Sequence, residues 1–390
     1  MSSTQNKVTW KVQAAMSDSY SGILDHILLS MIEGIGSRTY QRLLERFGNV
    51  TKILDASYCD LSGFEFLKPD TALRLASARQ NIDPNLILEL CQRDQIDIIP
   101  LHDSQYPESL RIIHDPPPIL YVKGKILPQD TFSIAVIGTR RSSAYGCRQA
   151  DRLATALAHH GFTIISGLAL GIDGIAHRAA LKSNTRTLAV LGSGHHRIYP
   201  PEHETLAEQI IHAGGAVLSE YPPLHQSSKW TFPQRNRIVS GLSLGVLVVE
   251  SPLRSGAMIS ARIAGEQGRD IFAVPGSIES SNSQGCHQLI RDGAYLVESI
   301  DDILNVLGPL RQKVLLFNKP QCPNPIRHPN EISLNEIELI VLHSIGITAT
   351  PLQSIITTTG LEEQQVVAAL SVLEKKRIIR QISPVVFVKM

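Results

Sequence analysis

No two cysteines in this sequence lie close enough to suggest shared chemistry. Cys59, Cys91, Cys147, Cys286 and Cys322 show no C-x-x-C spacing. That argues against a zinc site or a disulfide framework and fits reduced thiols in a cytoplasmic protein. The opening MSSTQNKVTW lacks an apolar h-region, so it does not read as a signal peptide. No apolar run approaches the ~20 residues that span a bilayer, and no membrane partner is expected. Excess charge is missing too. The 37 Lys and Arg against 36 Asp and Glu leave a formal net charge of +1, so any phosphate site has to be local. Two glycine signatures are also absent. Gly138-Thr139-Arg140 puts arginine at the second glycine of G-x-G-x-x-G, and no G-x-x-x-x-G-K-[ST] occurs. Nicotinamide-cofactor and P-loop chemistry are disfavoured, and neither a cofactor nor a metal is expected.

What is present reads as several domains in a chain of 390 residues. Residues 1–17 are polar and expected to be a disordered tail. ILDHILLSMIEGIGSRTYQRLLERFGNV has apolar residues at helical spacing, interrupted by Gly34 and Gly36. Together with the helical stretches up to NLILELCQRDQ it predicts an all-α domain over 18–95, of helix-hairpin-helix or SAM-like type. PLHDSQYPESLRIIHDPPPILYVKGK is proline-rich and reads as an extended connector opening a domain over 96–308. From Phe132 onward the apolar runs SIAVIG, FTIIS, TLAVLG, GAVLSE, LGVLVVE and DIFAVPG alternate with helical stretches. Near-continuous apolar strands with helices between them predict an α/β class, an extended Rossmann-like, doubly wound, mostly parallel sheet. Residues 309–333 form a proline-broken linker, and 334–390 have the helices and two β-prone runs of a winged helix.

In such a sheet, ligands bind beyond the carboxyl ends of the strands, where helix N-termini point free N–H groups outward. Four strand ends are rich in glycine, serine or arginine. The first has Gly138, Thr139, Arg140 and Arg141. The second has Ser166, Gly167 and Gly171, with Asp173 after it. The third has Ser193 and Gly194, and the fourth Arg254, Ser255 and Gly256. Each loop alone is as well explained by a turn; four together point to an anion site. KWTFPQRNRIVSGLS adds to this. Pro233 suits the first position of a helix, which places Arg235 and Asn236 in its first turn. At about 100° per residue, Arg235 and Arg237 point about 200° apart, so they cannot share one solvated face. Arg235 falls with Ile238, Val239 and Leu242 and needs a fixed partner: Glu220 or Glu250 internally, or a bound anion. Lys229 and Phe232 before it suit a phosphate beside a stacked base, although Phe232 also suits the core.

These segments carry a resemblance. DPPPILYVKG, VIGTRRSSAYG, SGLALGIDGIAH, FPQRNRIVSGLS, VVESPLRSGAMISARIAGEQGR, FAVPG and GCHQLIRDGA occur in order. Together they are similar to the DNA-processing protein A family, DprA or Smf, over about Tyr106 to Ala294. The resemblance implies a non-enzymatic protein that binds single-stranded DNA during natural transformation, protects it and loads the recombinase RecA onto it. It also implies a homodimer formed through the Rossmann domain. By motif, the DNA-contacting positions fall on Arg140, Lys229, Phe232, Arg235, Asn236 and Arg237, and the strand-end residues Gly138, Ser166, Gly167, Ser255 and Gly256 are expected to join them. The self-association surface falls around CHQLIRDGAYL, on Ile290 and Leu296, which are equally suited to the core. GAMISA, which contains Ser260, departs slightly from the family's usual S-x-[IL]-x-[TS]-A wording, so no role is carried over to Ser260. Only Lys182 and Lys229 are lysines between Thr131 and Asp302, so arginine supplies most positive charge there, with bidentate phosphate contacts and stacking.

The flanking segments speak less clearly. Arg38, Arg42 and Arg46 recur at i, i+4 and form one basic stripe, for phosphate or for solvent. Glu362 and Glu363 open the candidate recognition helix of the winged helix, which favours an accessory or protein-interaction module over a base reader. Lys375, Lys376 and Arg377 lie at its far end, where they suit the helix dipole. The main alternative is a Rossmann-type nucleotide-binding enzyme, a phosphoribohydrolase-like N-glycosidic hydrolase. Asp173, Glu220 and Glu250 would be its acids, and His177 or His195 its acid–base groups.

Overall fold

The structure, a computed structural model, describes residues 22–307 and, of the later chain, 337–338, 341, 344, 350–361, 363–375, 379–383 and 386–389. The expected tail over 1–17 and linker over 309–333 lie outside the described residues, as do Glu362, Lys376 and Arg377. The chain divides into two compact units, 1–319 and 320–390.

In the first unit, a helix over 22–31 and helices from Ser37–Phe47 to Ala78–Asn81 pack around Leu29, Tyr40, Leu43, Ile53, Leu61 and Leu75, and a further helix, Asn85–Arg93, follows. The chain then enters a nine-stranded sheet. Its strands are β1 (Ile96–Pro100), β2 (Ile119–Gly124), β3 (Ser133–Ile137), β4 (Thr163–Ser166), β5 (Thr187–Val190), β6 (Ala216–Ser219), β7 (Gly245–Val248), β8 (Asp270–Ala273) and β9 (Tyr295–Leu296). They lie in the order β1-β2-β6-β5-β4-β3-β7-β8-β9. The pairs from β6 through β9 are parallel; β1–β2 and β2–β6 are antiparallel. The proline-rich segment read as a connector, residues 100–125, therefore contributes strand β2 and the last residue of β1. Ile27, Ile87 and Cys91 of the helical region pack with Ile96, Ile119 and Tyr121 of those strands.

Both faces of the sheet are covered, as its apolar runs require. Side chains alternate across β3: Ala135 and Ile137 enter one core with Ile238, Leu242, Ala257 and Ala261, while Ile134 and Val136 enter the other with Leu153, Leu157, Ala176 and Ala180. The helices Thr231–Leu242 and Gly256–Glu266 thus cover one face, and Ala144–His159 and Ile172–Lys182 the other. Strand order reverses between β3 and β7, where a crevice opens beyond the carboxyl ends.

In the second unit, β10 (Thr350–Pro351), β11 (Ile379–Ser383) and β12 (Val386–Lys389) form an antiparallel sheet in the order β10-β12-β11. The helices Leu352–Thr359 and Glu363–Lys375 accompany it, with Ile355, Val366, Leu370, Leu373 and Phe387 in the core. Among the described residues no helix is long and apolar enough to cross a membrane.

Candidate functional site

A cleft of about 650 Å³ occupies the switch point, between the loops after β3, β4 and β7 and the start of the Thr231–Leu242 helix. It gathers Gly138, Arg140, Gly167, Lys229, Phe232, Arg235, Asn236, Ser255 and Gly256 from the sequence-predicted set. Ser166 and Arg237 do not line it. The Ser166 hydroxyl is fully buried and donates to the Val136 carbonyl at 2.6 Å, within the sheet. The loop after β5 also stays out: the Gly194 N–H donates to the His225 carbonyl at 2.9 Å. Three of the four glycine-rich strand ends converge there, not four.

The arginine helix begins at Thr231, two residues before Pro233, so Arg235 is one turn inside it. Proline is tolerated there because first-turn N–H groups have no intrahelical partner. Thr231 fixes the start, its hydroxyl accepting from the Ser228 N–H and donating to the Ser228 carbonyl, both at 3.0 Å. As helical geometry predicts, the two arginines leave the helix on different sides. Arg235 is 4% exposed, and its Nη1 donates to the carbonyls of Gly167 and Val190, just beyond β4 and at the end of β5. A Cβ on Gly167 would collide with that guanidinium, so only glycine allows the approach. Burial pulls the Arg235 pKa down to about 10, and the Asp173 carboxylate opposes the shift. Asp173, buried beside it, accepts the N–H groups of Gly167 at 3.1 Å and Ala169 at 3.4 Å. Burial raises its pKa, against the pull of Arg235.

Arg237 takes an internal acid. It is 7% exposed, donates from Nη2 to Glu220 at 2.6 Å and from Nε to Asp115 at 3.1 Å, and reaches Ser37 Oγ at 3.3 Å. Neither glutamate considered for Arg235 serves it. Glu220 holds Arg237, and Glu250 accepts the N–H of Ser143 at 2.8 Å and its hydroxyl at 2.6 Å, ahead of the Ala144–His159 helix. The distinction was hidden in sequence because both partners of Arg235 are carbonyls of distant strands.

The unpaired charge is elsewhere. Arg140 is exposed, and its guanidinium lies 5.0 Å from the Phe232 ring centroid. Phe232 is half-buried and tilted against Tyr199 at 5.6 Å. Lys229 Nζ sits 5.1 Å over the ring of Trp230, which is 70% exposed. Arg141 and Arg254 also line the cleft. Among the described residues, Arg140, Arg141, Lys229 and Arg254 form no ion pair. Tyr199 and Trp230 were missed as site residues. Trp230 carried a signal, an aromatic directly beside the lysine already singled out. Ser255 is the N-cap of the Gly256–Glu266 helix, its hydroxyl accepting the Met258 N–H at 3.3 Å, with Gly256 exposed beside it. At the sheet edge, Leu296 on β9 is 45% exposed, while Ile290 is half-buried against the core.

The acid–base groups of an enzyme are otherwise engaged. His177 is fully buried, its Nδ1 2.7 Å from the Thr187 hydroxyl, and burial lowers its pKa to about 3. His195 donates from Nε2 to the Val217 carbonyl at 3.0 Å, its pKa lowered by burial to about 4. Of the five candidates only Asp173 reaches the cleft, and it is buried beside Arg235.

Comparison with known proteins places this geometry. The family of DNA recombination-mediator protein A matches residues 97–308. The Smf protein of Escherichia coli is 40% identical over 312 residues, covering 78% of this chain and 82% of its own length. The Smf protein of Synechocystis is 34% identical over 372 residues, covering 88% and 93%. Among solved structures, DNA processing protein A of Streptococcus pneumoniae superposes with a TM-score of 0.60 at 36% identity, covering 72% of this chain and 95% of its own. With its sheet, its cleft and these relatives, the chain belongs to the DprA/Smf family of DNA processing proteins.

Proposed function

We propose that the cleft binds single-stranded DNA and that the protein acts without catalysis, protecting the strand and loading RecA onto it. The observation that carries the DNA reading is Arg140 set over the Phe232 ring among cations that have no carboxylate partner among the described residues. A guanidinium placed over a ring face has N–H groups left for phosphate, and the neighbouring aromatic faces of Trp230 and Tyr199 can take bases. A duplex offers no free base faces to such a surface; a single strand does. Recombinase loading rests on membership of a recombination-mediator family. The absence of catalysis is supported by the occupied acids and buried histidines.

The remaining assignments follow the same reading. Domain limits at 18–95, 96–308 and 334–390 are proposed, with the first of helix-hairpin-helix or SAM-like type and the last a winged helix serving as an accessory module. A homodimer is proposed through the edge at β9, where Tyr295 and Leu296 are exposed and the strand has no further neighbour among the described residues. The test is binding of single-stranded DNA by Arg140→Ala/Lys229→Ala at several salt concentrations. Loss of two phosphate contacts is expected to lower the slope of log K against log salt by about 1.4, with no change in melting temperature. Unchanged affinity and slope, or turnover of a nucleotide by the wild type, would overturn the reading.

A further inference from the structure

The helical region carries a second surface with the same chemistry as the cleft. Arg38, Arg42 and Arg46 stand at i, i+4 and i+8 on the Ser37–Phe47 helix, and all three are exposed. Against them comes the loop between the Tyr58–Ser62 and Pro69–Ala76 helices, bearing Phe64 and Phe66. The two rings stack at 5.3 Å and 30°, and Phe47 meets Phe64 edge-on at 5.9 Å. The Arg42 guanidinium lies 5.5 Å from the Phe66 centroid, and that of Arg46 lies 5.8 Å from the Phe64 centroid. Both phenylalanines are only half-buried.

Ion pairing separates these arginines from their neighbours. Elsewhere in the helical region Arg74 pairs with Glu33, Arg79 with Asp25 and Asp55, and Arg93 with Asp94. Glu45 and Glu65 are exposed close by in sequence, yet among the described residues neither forms an ion pair with Arg38, Arg42 or Arg46. A solvated helix face gains from i,i+4 pairs of opposite sign, and this one instead repeats a single sign. A guanidinium lying over a ring is already ordered, its outer face is open to a base, and its N–H edge is open to phosphate. The helix pitch of about 5.4 Å sets successive cations at a spacing comparable to that of phosphates along an extended strand. The stripe also starts beside the cleft helix. Ser37, the first residue of its helix, accepts from Arg237 at 3.3 Å, on the side of the cleft helix away from Arg235, and Asn236, next to Arg237 in the chain, lines the cleft.

We propose that Arg38, Arg42 and Arg46 with Phe64 and Phe66 form a second track for single-stranded DNA, which takes the strand beyond the cleft. The proposal rests on the single-stranded DNA reading of the cleft. It is tested on the full chain by fluorescence anisotropy with two oligothymidylates, the shortest that the wild type binds and one several times longer. Arg38→Gln/Arg42→Gln/Arg46→Gln keeps the helix propensity and the packing stems while removing the charges. It is expected to weaken binding of the long strand at least tenfold and to lower its salt slope by about 2, leaving the short strand unaffected. Arg140→Ala/Lys229→Ala is expected to weaken both. Photo-cross-linking from an iodouracil-substituted long strand is expected to mark the peptide containing Phe64 and Phe66. Wild-type affinity and slope of the triple variant on the long strand, or cross-links confined to cleft peptides, overturn the second track and leave the cleft reading standing. Failure of the wild type to bind either strand overturns both.

Discussion

Arg235 and Arg140 look alike in sequence, two arginines flanking glycine-rich segments, and the structure gives them opposite duties. Arg235 ties the ends of β4 and β5 together through two carbonyls, with Asp173 beside it; among the described residues the Arg140 guanidinium meets only the face of Phe232. Removing a buried charge leaves its partners unsatisfied, which costs about 3–5 kcal/mol. Arg235→Ala is therefore expected to lower the unfolding free energy by that much and shift the urea midpoint down accordingly, whereas Arg140→Ala leaves the midpoint where it is and changes only DNA affinity. Equal midpoints for the two variants, measured by circular dichroism, would contradict the assignment. Local periodicity was enough to separate Arg235 from Arg237, because residues two apart on a helix must diverge. It could not name their partners. Those come from strands and loops that only the tertiary fold brings near, such as Gly167, Val190 and Asp115.

The elements show the same division between local and distant information. The parallel strands β3 to β8 were legible because both of their faces are buried, which forces continuous apolar runs. β1 and β2 were not, since prolines and polar residues surround them and their pairing depends on each other and on β6. How the Ile172–Lys182 helix is fastened to the sheet was also invisible. Thr187 donates to the Ile164 carbonyl at 2.8 Å, so its oxygen accepts from His177 Nδ1, which fixes a neutral ring whose Nε2 has no partner. The unfolded chain binds a proton at His177 below about pH 6.5, while the folded one resists until about 3. Stability is thus complete above pH 6.5 and declines as the pH falls through that interval. His177→Asn keeps a donor for Thr187 without a titrating ring. Its melting temperature is expected to fall less steeply between pH 6.5 and 4 than that of the wild type, in parallel thermal scans.

At the scale of the molecule, the proposed dimer and the two DNA surfaces bear on one another. A short outermost strand with two exposed apolar residues is a pairing edge unless it is protected. Leu296→Glu is expected to shift the species seen by light scattering from dimer to monomer. It should also weaken binding of long strands more than short ones, since pairing doubles the cleft count per particle. A wild type that is monomeric at micromolar concentration would remove the dimer from the reading.

The four unpaired cations of the cleft have a further consequence. Arg140, Arg141, Lys229 and Arg254 line one concavity whose lining, among the described residues, holds no counter-charge beyond the Asp173 already engaged with Arg235. Like charges gathered in one concavity repel one another in the free protein. Added salt relaxes that repulsion by screening, and a polyanion relaxes it by neutralisation. Ionic strength should then act with opposite sign on the two forms, steadying the free protein while loosening its grip on DNA.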